Sequence, residues 1–209
     1  MSPPPRRGVI LDRDGTLIDF VRDSDLGSVQ SAFHPSHIRF LPGVLEGMRS
    51  LSNAGFVLAI ATNQPGPAKG QIPMRAVETT HRALLDRLRA EGIEIAQLEV
   101  CTHHPDGGPG GDPNLIVNCE CRKPKPGMLL TLLRDLNLDP TQTWMVGDSL
   151  ADVQAGHAAG VHTALLWEEG RCEFCPYKNG ESSLIAPIRP TIAAPRFDRL
   201  AALVAAGLV

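Results

Sequence analysis

The chain has 209 residues, 43% apolar and only 4% aromatic, enough for one domain whose core is built from Leu, Val, Ile and Ala. Its net charge of −3 carries no long block of one sign, which excludes nucleic-acid or polyanion binding by bulk electrostatics. There is no signal-peptide core and no apolar run of membrane length, and five cysteines cannot make a fully paired disulfide framework, so the expectation is a soluble cytoplasmic protein, monomeric, in a reducing compartment.

In chain order, GVIL (8–11) predicts a short buried strand. Val44, Leu45, Met48 and Leu51 fall at helical spacing, with Gly55 as a stop. FVLAIA (56–61) is an unbroken apolar run, as in a strand covered on both faces. Pro73 opens a helix whose face is Val77, Thr80, Leu84 and Leu88, and Gly92 follows its end. AQLEVC (96–101) is a third strand, and Pro126 opens a helix through Leu136. TWMVG (143–147) is a strand, Ala151 to Ala159 a helix and HTALLW (162–167) a last strand. Residues 170–195, rich in Pro, Gly and Ser, predict an irregular arm, and 196–206 a closing helix. This alternation implies a doubly wound, mainly parallel α/β sheet in a single domain over 1–209, with its core at about 8–168.

In such sheets ligands bind beyond the carboxyl ends of the strands. The first strand ends in Asp12-Arg13-Asp14-Gly15-Thr16, the second in Thr62-Asn63-Gln64, and the one at 143–147 in Gly147-Asp148-Ser149. Arg122-Lys123 stands in the loop before Pro126. Like charges as close as Asp12 and Asp14 are costly to bury together. With Asp148 they make three carboxylates at one edge, which need a cation. Mg2+ with oxygen ligands suits them, and a lysine adds counter-charge. One carboxylate can then be the nucleophile that forms an aspartyl-phosphate, while the other gives a proton to the leaving oxygen and later activates water.

A second constellation is Cys101-Thr102-His103 and Cys119-Glu120-Cys121, flanking a 15-residue loop rich in Gly, Pro and Asp. That loop has too little apolar content to order itself by burial. Four S/N ligands around Zn2+ would clip its ends, although spacing does not separate His103 from His104. Cys172 and Cys175 form a CxxC with no other free cysteine pair to complete a second four-cysteine site, and read as incidental thiols or a local disulfide. His34 and His37 flank Pro35 and read as loop residues.

DRDGT (12–16), ATNQ (61–64), Lys123 and GDSLAD (147–152), in this order, resemble the four motifs of haloacid-dehalogenase (HAD) phosphatases, over about residues 8–168. The resemblance implies a Rossmann-like core with Asp12 as nucleophile and Asp14 as general acid/base. It implies that Thr62 binds the phosphoryl group and Lys123 neutralises it. Mg2+ would take the Asp12 carboxylate, the Asp14 main-chain carbonyl and the Asp148 carboxylate, with Asp152 orienting Lys123 from behind. Together with CTHHPDG (101–107) and CRKPKPGM (121–128), the pattern is similar to the D-glycero-D-manno-heptose-1,7-bisphosphate 7-phosphatase and histidinol-phosphatase family. That resemblance implies Cys101, His103, Cys119 and Cys121 as ligands of a structural zinc, with Arg122 as a substrate contact. TNQP departs from the family's commoner TNQS and removes a hydroxyl and an N–H near the phosphate.

Only 49 residues lie between Asp12 and Thr62, partly filled by a helix and a strand, so 20–42 is expected to be a flap and the enzyme capless with an open site. The candidate substrate contacts are Arg13, Phe20, Val21, Arg22, Asp23, Asn63, Gln64, Pro65, Arg122 and Ser149. The expected activity is hydrolysis of a small sugar (bis)phosphate, heptose 1,7-bisphosphate at the 7-phosphate first and histidinol phosphate second. A zinc-stabilised binding module without catalysis is a reading of another class, and the intact Asp12, Asp14, Thr62, Lys123 and Asp148 stand against it.

Overall fold

The computed structural model describes residues 4–25, 27–167 and 189–207. In chain order the strands are β1 (Arg6–Leu11), β2 (Val21–Asp23), β3 (Ser28–Gln30), β4 (Val57–Asn63), β5 (Gln97–Cys101), β6 (Leu138–Gly147), β7 (His162–Leu166) and β8 (Ile192–Ala194). The helices are α1 (Val44–Asn53), α2 (Met74–Ala90), α3 (Gly127–Asp135), α4 (Leu150–Ala159) and α5 (Phe197–Ala205). Six strands form one sheet in the order β5-β4-β1-β6-β7-β8, and every neighbouring pair is parallel.

Alternation along the central strands explains why they are apolar throughout. Side chains point to opposite faces in turn. Val9, Leu11, Leu58, Ile60, Trp144 and Val146 enter one buried cluster, with Met48 and Leu51 of α1, Leu84 and Leu88 of α2, and Phe197 and Leu200 of α5. Ile10, Ala59, Ala61 and Met145 enter the opposite cluster, with Met128, Leu129 and Leu132 of α3 and Ala155 and Ala159 of α4. Each fully buried Leu, Ile or Met contributes about 1.5–3 kcal/mol by removal from water, so both faces must be covered for the sheet to persist.

Three segments differ from the sequence expectation; the first is β6, which begins at Leu138 and not at Thr143. The arm predicted over 170–195 contains β8, which extends the sheet by pairing Ile192–Ala194 with Ala164–Leu166 of β7. Of the remainder of that arm, residues 168–188, with Cys172 and Cys175, lie outside the described residues. The flap expected at 20–42 is built in part by the antiparallel hairpin of β2 and β3, with a short 3-10 turn at Pro35–His37. No helix among the described residues is long and apolar enough to cross a membrane.

The strand order turns back at β1: the chain runs outward through β4 and β5, then returns on the other side at β6. Such a reversal opens a crevice at the carboxyl ends of the strands. Leu11 is level with both Ile60 and Val146, and the Asp12 N–H donates to the Val146 carbonyl at 2.9 Å. The polar residues that follow β1, β4 and β6 therefore emerge together.

Candidate active site

Asp12 leaves the end of β1, Asp148 the end of β6, and Asp152 the first turn of α4. One carboxylate oxygen of each lies within 4.8 Å of the others. They are 8%, 8% and 2% exposed, so water screens them poorly. Gly15, at φ +81°, lets the chain turn close beneath them: a Cβ there would overlap both Asp148 and the Phe20 ring.

One cation faces the group. Lys123 Nζ lies 2.6 Å from Asp12 Oδ1 and 2.6 Å from Asp152 Oδ1, and donates to the Ala61 carbonyl at 2.7 Å. Its three hydrogens are thus all engaged. Burial pulls the ammonium pKa down, but the two carboxylates outweigh it and hold the pKa above the usual lysine value. Asn63 fixes the segment, its side chain accepting from the Lys123 N–H at 3.1 Å and donating to the Lys123 carbonyl at 3.0 Å. The Ser149 N–H and hydroxyl both donate to Asp152 Oδ2, which aims the other oxygen of Asp152 at the lysine.

Three carboxylates against one ammonium leave an excess of negative charge. Burial, with Asp152 and Asp14 adding to it against the pull of Lys123, pushes Asp12 up to about 7. Burial, then Asp12 and Asp152, raises Asp148 well above the ordinary carboxylate range. An acidic pocket of this kind, with oxygen donors only, fits a hard divalent cation such as Mg2+.

Asp14 stands apart from this trio. Its carboxylate accepts from Arg13 Nε at 3.1 Å and Arg13 Nη2 at 2.8 Å, from Gln64 Nε2 at 2.6 Å and from the Ala32 N–H at 3.3 Å. Arg13 is fully buried and Gln64 nearly so. Both are candidate substrate contacts. Their polar contacts run to Asp14, to each other and, for Arg13, to the Ala32 carbonyl, because a charged guanidinium shut off from water must find acceptors within the protein. Asn63 and Ser149 are likewise spent on Lys123 and Asp152. Thr62 is buried beside the group, its Oγ1 accepting from Gln64 at 2.9 Å. Ala32 and Ala61 act through backbone atoms alone, which no side-chain motif announces.

Of the other expected contacts, Phe20 packs at Gly15, Arg22 pairs with Asp19 at 2.9 Å, and Asp23 accepts from the Asp25 N–H within the hairpin turn. Val21 pairs with Gln30 across that hairpin. The Pro65 carbonyl accepts from the Lys69 N–H. Arg122 is half-buried, with Nη1 3.4 Å from the His103 carbonyl.

The sulfur cluster is equally compact. Cys101 Sγ is 3.6 Å from Cys119 Sγ and 3.2 Å from Cys121 Sγ, the latter pair are 3.2 Å apart, and His103 Nδ1 is 3.7 Å from Cys101 Sγ and 3.2 Å from Cys121 Sγ. Donors around a tetrahedral zinc at about 2.3 Å stand about 3.8 Å apart, so this set needs only slight expansion to admit the ion. His104 is turned away, its Nδ1 accepting from the Asp106 N–H at 3.2 Å. The loop between the two pairs lies against residues 66–70, where Gly111 is required: a Cβ there would strike the Ala68 carbonyl.

This fold and site define a hydrolase of the HAD class, a phosphatase. A family model described as HAD-hydrolase-like matches residues 120–195. The D-glycero-beta-D-manno-heptose-1,7-bisphosphate 7-phosphatase of Rhodopseudomonas palustris is 37% identical over 160 residues, spanning 77% of this chain and 83% of that protein. The enzyme of the same name from Escherichia coli K12 is 36% identical, over 78% and 80%. The crystal structure of D,D-heptose 1,7-bisphosphate phosphatase from B. bronchiseptica, complexed with magnesium and phosphate, superposes with a TM-score of 0.73 at 26% identity, over 96% of this chain and 99% of that one. The chain belongs to the D-glycero-D-manno-heptose-1,7-bisphosphate 7-phosphatase family.

Proposed function

We propose that the protein hydrolyses a small sugar bisphosphate, D-glycero-D-manno-heptose 1,7-bisphosphate at its 7-phosphate, through an aspartyl-phosphate on Asp12. The observation that carries this is the buried carboxylate trio with Lys123 bridging Asp12 and Asp152. Asp12 and Asp148, with the Asp14 main-chain carbonyl, would hold Mg2+. When bound, that ion supplies charge neutralisation for the carboxylates and for the phosphoryl oxygens during transfer.

In the first step an Asp12 carboxylate oxygen attacks phosphorus. The bond from phosphorus to the sugar oxygen breaks, and that oxygen takes a proton from Asp14. In the second, Asp14, now anionic, takes a proton from water as its oxygen attacks the phosphoryl group. The bond to Asp12 breaks and inorganic phosphate leaves. The Thr62 hydroxyl accepts from Gln64, so its own hydrogen can go to a phosphoryl oxygen. Lys123 steadies the charge that moves onto Asp12.

The substrate assignment rests on the named relatives, which are heptose-1,7-bisphosphate 7-phosphatases. Zn2+ bound by Cys101, His103, Cys119 and Cys121 would be structural, fixing Arg122 next to Lys123. In this reading the enzyme works as a capless monomer in the cytoplasm, with no membrane or nucleic-acid partner. Purified protein with Mg2+ should release phosphate from the heptose bisphosphate with a kcat/KM at least about tenfold above that for histidinol phosphate, a ratio available from differential transition-state contacts. Asp12→Asn should abolish turnover of both; retained turnover removes Asp12 as nucleophile, and a reversed ratio overturns the substrate.

A further inference from the structure

Gln64 sits at the carboxyl end of β4 and is 1% exposed, and its amide donates to two groups that the reaction needs. Its Nε2 donates to Asp14 Oδ2 at 2.6 Å and to Thr62 Oγ1 at 2.9 Å. Its Oε1 accepts from Arg13 Nη2 at 2.9 Å. The partners fix the amide orientation: the other way round, Oε1 would face a carboxylate and the NH2 a guanidinium, both repulsive. One planar group thus ties a threonine on β4 to an aspartate beyond β1, while the buried Arg13 anchors both from behind.

We infer that Gln64 is a positioning residue that sets the Asp14 carboxylate relative to the phosphoryl site, and that it acts on the departure of the leaving oxygen. This rests on the assignment of Asp14 as proton donor. The side-chain bonds of Gln64 run to Asp14, Thr62 and Arg13. Their effect is geometric, because proton transfer in the transition state demands a donor held within hydrogen-bond reach of the leaving oxygen.

Leaving-group chemistry separates this role from a merely structural one. An alkoxide is strongly basic and departs with a proton. Nitrophenolate is a stable anion and departs without one. Gln64→Leu keeps most of the volume and loses the bonds. Gln64→Asn keeps an amide in the same cavity but is too short to span Thr62 and Asp14, and it serves where the leucine variant folds poorly. With each variant, kcat/KM, which reports the steps through loss of the leaving oxygen and not the later hydrolysis common to both esters, should fall by about 10–100-fold on an alkyl phosphate such as glycerol phosphate, part of the 10²–10⁴ that a placed acid supplies, and by less than about threefold on p-nitrophenyl phosphate. Equal losses on the two esters, or none on either, would overturn the inference. Failure of the underlying phosphatase reading would look different: Asp12→Asn would keep turnover of both esters.

Discussion

Lys123 and His81 show how burial decides the state of a single group. Lys123 stays charged because two carboxylates reach it. His81, on α2, has no such neighbour. Burial, assisted by the charge of Arg13, lowers its pKa to about 3, and its Nε2 has no hydrogen-bond partner among the described residues. The folded chain therefore holds the imidazole neutral, whereas the unfolded chain takes up a proton below about pH 6.5. Protons then favour unfolding, and stability falls as pH drops from about 7 towards 3, by about 2 kcal/mol between pH 7 and 5. His81→Leu should remove that share. Urea denaturation of both proteins at pH 7 and pH 5 measures it, and equal losses in the two would show that the buried imidazole is protonated. None of this was legible in the sequence, where His81 is one polar residue on a helix. The same holds for Arg13 and Gln64: a motif says that polar groups stand at a strand end, not whether each points outward to a ligand or inward to its neighbours.

At the scale of elements, the loop over 104–118 has few ties of its own, and the proposed zinc clip at its two ends would order it. His104 and Leu115 join it by one backbone bond of 3.1 Å, and Asp112 bonds the Pro67 carbonyl at 3.1 Å; the buried apolar clusters take nothing from 104–118. Cys101→Ser should lower bound zinc from about one per chain to none and raise the rate of chymotryptic cleavage after Leu115 by about tenfold or more, since local opening governs cutting. Zinc analysis and a digestion time course check it, and a variant with full metal and unchanged cleavage would refute the clip. That the cysteine and histidine pairs cluster was readable because their residue types recur at a short, matched spacing on either side of one loop. The strands β1, β4, β6 and β7 were readable because burial on two faces demands unbroken apolar runs. β8 has three residues and one strand neighbour, β7, so it shows no periodicity. The hairpin of β2 (VRD) and β3 (SVQ) is equally short and half-exposed, and leaves no pattern either.

For the whole molecule, the strand order gathers charge from distant parts of the chain at one rim, and the fold must hold it there. Asp12 and Asp148 come together only when β1 and β6 are assembled, so a divalent ion held by them and the Asp14 main-chain carbonyl would bind the native state and not the unfolded chain. Such a ligand stabilises by mass action, about 2.7 kcal/mol at a hundredfold excess over Kd. For a chain of this size that corresponds to a rise in Tm of about 5–10 °C. Protein dialysed free of Mg2+ without a zinc chelator should show this rise when Mg2+ is added, and Asp148→Asn should abolish most of it. The gain should also depend on pH. Without metal, Asp12 titrates at about 7, raised by burial first. Below that pH the ion must displace a proton, so binding weakens, and the increase in Tm should be smaller at pH 5.5 than at pH 8. Differential scanning calorimetry at the two pH values measures both effects. An equal increase in wild type and Asp148→Asn would place the ion somewhere other than this rim.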